Sequence, residues 1–212
     1  MTRCGVMPMG LLVEHTSSHK IDTTNLVNGK PVYYYANEIS LGMYNFTYAG
    51  DTGQVILANC SNSNVSNLNL SYCVTGISLL YSDNNTVSGN NATNNVNGIL
   101  IENSANNTVS GNIANDNIEK GISIHDSINN TVSGNTANNN NLTGIHLEDC
   151  NNNTVSGNTA INNRDYGLLL TTSNNTLVIG NVLKGNGLGG YLDDNGTNNE
   201  FSWNVNNGFV DP

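Results

Sequence analysis

Short apolar alternations, each opened by a glycine, recur along the chain. They read Gly76-Ile77-Ser78-Leu79, Gly98-Ile99-Leu100-Ile101, Gly121-Ile122-Ser123-Ile124, Gly144-Ile145-His146-Leu147, Gly167-Leu168-Leu169-Leu170 and Gly190-Tyr191-Leu192. Successive glycines stand 22, 23, 23, 23 and 23 residues apart. Gly53-Gln54-Val55-Ile56-Leu57 lies 23 residues before Gly76, and Gly208-Phe209-Val210 reads as a short final copy. A second motif, Asn-Thr-Val-Ser-Gly-Asn, falls between these at 85–90, 107–112, 130–135 and 153–158, with a looser copy at 175–181. Alternation at period two predicts strands, and the Asn- and Gly-rich stretches between them predict turns. Connections this short cannot carry the helix of an α/β crossover. Repetition at about 22 residues therefore predicts an all-β solenoid, a parallel β-helix in which each strand pairs with its copy one period later. Coils would stack at roughly 4.8 Å, with Ile/Leu columns in the core and Asn columns at the corners.

Residues 53–212 are expected to form the regular coils, and residues 1–52 a less regular N-terminal part of the same solenoid. Gly10-Leu11-Leu12-Val13-Glu14 matches Gly98-Ile99-Leu100-Ile101-Glu102 in pattern, Val32 to Tyr35 falls about one period later, and a looser coil is expected around residues 44–50. The count reaches about nine coils of 22–23 residues. Proline occurs only at positions 8, 31 and 212, so the 180 residues between the last two can all donate a backbone N–H to ladders.

Composition sharpens this reading. Of 212 residues, 45 are asparagine and 22 glycine, while only 10% are charged. A helical bundle is excluded, since Asn and Gly are poor helix interiors and no 3.6-residue stripe appears. No apolar run is long enough for a membrane-spanning helix. Six basic against sixteen acidic residues, a net charge of −10, disfavour a nucleic-acid partner. The four cysteines show neither a CxxC nor a zinc spacing. Cys150 stands where Ser82, Ser104, Ser127 and Ser173 stand in other coils, and Cys60 and Cys73 share one coil at different offsets. Residues 1–13 only faintly resemble a signal peptide: Pro8 interrupts them and no small-x-small cleavage site follows. Twelve Asn-x-Ser/Thr sequons occur, among them Asn84, Asn106, Asn129 and Asn152, as a by-product of the Asn-Thr repeat.

The Asn-Asn-Thr-Val-Ser-Gly-Asn repeat with its Gly-Ile-x-Leu alternation resembles the NosD-like right-handed parallel β-helix proteins. So do His19-Lys20-Ile21-Asp22-Thr23-Thr24-Asn25, the segment Val27-Asn28-Gly29-Lys30-Pro31-Val32-Tyr33-Tyr34-Tyr35, and Gly53-Gln54-Val55-Ile56-Leu57-Ala58-Asn59-Cys60. The resemblance implies a single-stranded right-handed coil, the hand that parallel connections usually take. It also implies an extracytoplasmic location, whether secreted, periplasmic or on the cell surface. The family name implies a part in copper delivery.

With glycine at offset zero, offsets one and three point inward and offsets two and four outward. The offset-four column reads Leu80, Glu102, His125, Glu148, Thr171, and His146 sits at offset two of its own coil. Glu102, His125, His146 and Glu148 are thus expected on one outer face, with Asp126 and Asp149 at the adjoining turn and Lys120 and Arg164 as the nearby cations. Such a set serves as a solvated polar face, as a patch for a sugar or a divalent metal, or as a catalytic site. Cys4, Met7 and Met9 are soft ligands that could suit Cu(I). No cofactor is required by the coils themselves; copper or another divalent metal is the one these residues would admit. Tyr33, Tyr34, Tyr35, Tyr44, Phe46 and Tyr48 cluster early, and their alternation leaves at least one ring outside.

The leading expectation is a non-catalytic surface, adhesion or scaffold module, with carbohydrate or a surface protein as partner and end-to-end self-association through open coil edges. The alternatives are a carbohydrate-active enzyme of the polysaccharide lyase or uronate epimerase type, and a copper-accessory protein. A filled, splayed face favours the first; a groove with converging His, Glu and Lys favours the enzyme.

Overall fold

The computed structural model describes residues 4–8, 10–47, 52–206 and 209–211. It is a parallel β-solenoid of about seven turns rather than nine. One wall is a sheet of parallel strands Lys30–Ala36, Gln54–Ala58, Thr75–Leu80, Asn97–Glu102, Ile122–His125, Ile145–Glu148, Tyr166–Thr171 and Gly189–Asp194. A second wall stacks seven three-residue strands, from Asn64–Ser66 through Thr86–Ser88, Thr108–Ser110, Thr131–Ser133, Thr154–Ser156 and Leu177–Ile179 to Glu200–Ser202. The third side is reduced to short strands at the two ends, joined by single bridges from Asn91 to Ile113, Thr136, Thr159 and Val182.

In-register pairing turns each repeat position into a column. Val65, Val87, Val109, Val132, Val155 and Val178 face inward from the second wall, and Ile77, Ile99, Ile122, Ile145 and Leu168 from the first, all fully buried. Burying each such side chain is worth about 1.5–3 kcal/mol, so removing one rung's Val or Ile weakens its neighbours as well. Glycine opens the inward run because the wall is tight there. A Cβ on Gly121 would lie 2.6 Å from the Gly144 carbonyl oxygen and 2.8 Å from that of Ala114.

Asparagine holds the corners. In one ladder the backbone N–H of Asn90, Asn112, Asn135, Asn158 and Asn181 each donates to the side-chain oxygen one coil on, at 2.9–3.0 Å, ending on Asn204. A second runs from Asn85 through Asn107 and Asn130 to Asn153, and a third from Asn95 through Asn117, Asn140 and Asn163 to Asn186. Preceding turn residues take positive φ: Asn84, Asn106, Asn129 and Asn152 lie at 57–59°, where asparagine is better tolerated than β-branched residues. The expected Ser/Cys column also forms, since Cys60, Ser82, Ser104 and Cys150 donate their N–H to Ser82, Ser104, Ser127 and Ser173. Cys60 and Cys73 are not bridged; Cys73 belongs to the Asn95 ladder, and all four cysteines are free thiols.

Several sequence expectations are corrected. Gln54, not Gly53, stands in the glycine column, because Val55 pairs with Ile77 and Leu57 with Leu79. That register turns Val55 and Leu57 inward, which a Gly53 alignment would have reversed. Residues 10–14 make no coil strand: Val13–Ser17 is a short helix and Leu11 is 92% exposed. The edge beside Lys30–Ala36 is taken by Leu26–Val27, which pairs antiparallel and leaves residues 10–14 no ladder. The looser coil expected around Tyr44 is the helix Met43–Thr47, whose Phe46 is fully buried edge-on to Tyr33 and Tyr35; residues 48–51 lie outside the described residues. Phe209–Val210 is not a further copy, since it folds back antiparallel on Val205–Asn206.

The N-terminal segment lies over the outer face of the first wall. Gln54 clamps it, accepting from the Val6 N–H at 2.9 Å and donating to its carbonyl at 2.8 Å. Tyr34, the outward tyrosine, donates to the Thr16 carbonyl at 2.6 Å. Under this cover the outward residues Val32, Ile56, Leu80 and Leu100 form a second apolar cluster with Val6, Ile21 and Tyr81.

The period itself changes once. Asn95 and Asn117 are paired at a separation of 22, whereas Gly98 and Gly121 are paired at 23. The added residue therefore falls within 118–120, and later rungs keep the longer period.

Candidate functional site

Where the N-terminal cover ends, the outer face of the first wall becomes polar. Glu102, His125, Glu148 and Thr171 stack in one column, and Ser123, His146 and Leu169 in the column two residues earlier. This is the arrangement the offsets predict. The His125 and His146 rings meet edge to face with centroids 5.6 Å apart. His125 Nδ1 lies 3.1 Å from Glu148 Oε2, and His146 Nδ1 lies 4.0 Å from the same oxygen. One ligand atom from each of His125, His146 and Glu148 falls within 4.8 Å of the other two.

The far nitrogens are also held. His125 Nε2 is 2.7 Å from Ser123 Oγ, and His146 Nε2 is 3.2 Å from Thr171 Oγ1. A hydroxyl donates or accepts, so it suits either tautomer. At 3.1 Å His125 Nδ1–H donates to Glu148 Oε2, with Ser123 Oγ then donating to Nε2. The opposite tautomers, with Nε2–H donating to the hydroxyls, would turn both Nδ1 lone pairs toward an ion held by Glu148, which is how second-partner hydrogen bonds orient metal-ligating histidines. His146 is 5% exposed, and its Nδ1 is buried with no hydrogen-bond partner. Burial pushes the His146 pKa down to about 3, reinforced by Lys120 and His125. Burial, and then Lys120, lowers that of His125 as well, against the pull of Glu148 and Asp126. Burial thus favours the uncharged form of both rings, the form in which imidazole binds metal. The donor set of two imidazoles and a carboxylate suits copper, zinc or iron, and the orphaned His146 Nδ1 fits such an ion.

Beside this set lies a groove of about 280 Å³ lined by Met7, Asn97, Leu100, Glu102, Glu119, Lys120, Ser123, His125 and Asp126. His125 joins the two: its Nδ1 faces Glu148, and its Nε2 faces Ser123. Burial raises the Glu102 pKa, with Asp126 adding to it, and burial lowers that of Lys120. A second, more apolar groove of about 370 Å³ runs between Met7, Pro8, Gly10, Leu11 and Thr16 on one side and Leu80, Tyr81 and Glu102 on the other.

The predicted residues thus divide. His125, His146 and Glu148 converge, and Glu102, Lys120 and Asp126 line the adjoining groove. Asp149 lies outside both and accepts from the Thr172 hydroxyl. Arg164 is exposed at a corner, its backbone N–H on the Asn140 carbonyl, and lines neither groove. Met7 reaches both grooves, whereas Cys4 is exposed and its N–H donates to the Tyr72 carbonyl at 3.2 Å. Met9 lies outside the described residues. Ser123 and Thr171 were not singled out in sequence; their signal was their position in the two columns that carry His125, His146 and Glu148.

The family model described as periplasmic copper-binding protein (NosD) matches residues 15–209. No curated protein matches the sequence. Among solved structures, a double mutant of the periplasmic alginate epimerase AlgG is 20% identical with a TM-score of 0.55, over 71% of this chain and 45% of its own. The Dettilon tailspike protein is 16% identical with a TM-score of 0.58, over 82% and 46%. The chain spans less than half the length of either, and the likeness is one of fold.

Proposed function

The chain belongs to the NosD family, and from that premise we propose that it is a non-catalytic extracytoplasmic β-helix module holding a divalent transition-metal ion, copper by family, at His125, His146 and Glu148. The observation that carries the reading is the convergence of two Nδ1 atoms on one carboxylate, each ring steadied from behind by a hydroxyl. Three protein ligands leave coordination positions for an external group, and a bound ion would supply Lewis acidity there. The chain's own part is to orient the rings, hold them unprotonated and shield one side with the wall. Calorimetric titration of the purified chain with Cu(II) and Zn(II) tests this. One ion per chain is expected, lost in His125→Ala and His146→Leu and weakened about tenfold or more in Ser123→Ala. A parent chain that takes up neither ion, or histidine variants that bind like the parent, would sink the reading.

The groove favours a second reading, carbohydrate binding or chemistry beside the same face. Glu102, Lys120, His125 and Asp126 line it together, an acid–base set rather than a splayed, filled surface. Three carboxylates against one lysine select neutral or cationic sugars over polyuronates. A glycan array read with the parent and Glu102→Gln distinguishes the two, since no glycan retained by the parent, or equal retention by the variant, removes this reading.

A further inference from the structure

We propose that the corner formed by Asn84, Asn106, Asn129 and Asn152 is an acceptor array for N-linked glycans, with at most alternate rungs occupied on one molecule. The inference rests on the extracytoplasmic reading above.

Each of these asparagines opens an Asn-Asn-Thr sequon, ending at Thr86, Thr108, Thr131 and Thr154. In sequence the four are by-products of the repeat; in the structure they form one exposed column. All four are exposed and sit at positive φ in the turn between two walls. Their side-chain amides make no hydrogen bond among the described residues. The next residue of each, Asn85, Asn107, Asn130 or Asn153, is buried and carries the ladder instead. The matching threonines point outward from the second wall, half-exposed, their hydroxyls likewise without a protein partner. Both groups that a sequon must present, a free amide and a free hydroxyl, are available on the folded surface.

Three other sequons fail one of these conditions. Asn141 is followed by Thr143, which is 3% exposed. Asn174 donates to Asn151 and accepts from the Thr197 N–H, and its Thr176 is 1% exposed. At Asn91 the Thr93 hydroxyl is tied to the asparagine itself.

The transfer needs a polyprenyl-diphosphate-linked oligosaccharide and its transferase. The amide Nδ2 forms a bond to C1 of the first sugar, the C1–phosphate oxygen bond breaks, polyprenyl diphosphate leaves, and the amide proton passes to a base of the transferase. No oxidation occurs. The register Thr86, Thr108, Thr131, Thr154 stacks the acceptors one per rung, roughly 4.8 Å apart. A branched glycan is broader than that, and bulky surface sugars exclude one another on neighbouring rungs; two rungs, roughly 9.6 Å, relieve the clash.

The full chain, fused to a secretion signal and produced in a host that N-glycosylates a control protein, gives the test. Glycopeptide and intact mass spectrometry of the folded secreted fraction should find sugar on the column, no more than two glycans of the column per molecule, and none at Asn141 or Asn174. In Asn84→Gln/Asn129→Gln, occupancy of Asn106 and Asn152 should rise. An unmodified column, three or four column glycans on one molecule, or equal modification of Asn141 and Asn174 would overturn the inference while leaving the location reading intact. Fractionation of the native cells checks that reading separately: a cytoplasmic pool overturns it, and with it the modification in the cell.

Discussion

Replacing Asn135 by aspartate changes one amide nitrogen to oxygen at the centre of the longest corner ladder. Asn135 is 1% exposed. Its Nδ2 donates to the Val109 carbonyl and to Asn158 Oδ1, both at 2.9 Å, while its Oδ1 accepts from Asn112 N and Nδ2 at 2.9 and 3.0 Å. Aspartate keeps the accepting half and lets it strengthen. The donating half becomes an oxygen facing two oxygens, so the Val109 carbonyl and Asn158 Oδ1 each lose this amide donor, although Asn158 Oδ1 keeps the Asn135 backbone N–H. The lost donation to Val109 costs roughly 1–3 kcal/mol at neutral pH, a sizeable part of the usual 5–15. Burial and the facing oxygens raise the carboxyl pKa in the folded chain, and a protonated acid can donate to Val109 once more. The deficit relative to the parent should therefore shrink between pH 7 and pH 4, because the folded state gains a proton there before the unfolded state does. Urea unfolding followed by far-UV circular dichroism reads the loss, with Asn129→Asp at the exposed corner as a change within about 0.5 kcal/mol. Because a solenoid couples only neighbouring rungs, hydrogen exchange should locate the loosening at residues near 112 and 158. A deficit below about 1 kcal/mol, or one that ignores pH, would refute the ladder as a source of stability.

Two further predictions use the buried titratable groups. Folded His146 stays neutral down to about pH 3, whereas the unfolded ring takes a proton below about 6.5. The parent should therefore lose stability as pH falls through that window, by about 1.4 kcal/mol for each unit of depression. His146→Leu, whose column already holds Leu100 and Leu169, should be flatter in urea midpoints from pH 7 to 4; parallel slopes would contradict the assignment. Burial raises the thiol pKa of Cys73 to about 12 and of Cys150 to about 11, and that of Cys60 upward as well. Ellman's reagent should thus titrate one thiol quickly in the native chain, the exposed Cys4, and four after denaturation; rapid reaction of a second would show that a wall opens.

The repeat made the fold legible because every column restates the same inference. Val87, Val109 and Val132 fall inward for one reason, and one correct offset places His125, His146 and Glu148 on a common face. Reading failed where no copy exists to check against. Leu11, Leu12 and Val13 carry a strand-like pattern, yet the edge they would need is filled by Leu26–Val27. The Gly53 alignment failed because the early rungs are one residue shorter, and glycine identity outweighed the inward pair Val55 and Leu57. The grooves were out of reach for a different reason: they depend on where residues 4–8 lie, which long-range contacts such as the Gln54 clamp and the Cys4–Tyr72 backbone bond settle.

The single lengthening of the period within residues 118–120 is a lattice dislocation in an otherwise translationally symmetric rod. A perfect repeat offers each ligand as many equivalent addresses as it has rungs, so nothing bound to it has a defined location. An extra residue breaks that degeneracy. Lys120 ends the inserted stretch and is the groove's one lysine, and His125, His146 and Glu148 follow within the next rung and a half. On this rod the candidate groove and the His125–His146–Glu148 set lie on the rungs that follow that fault.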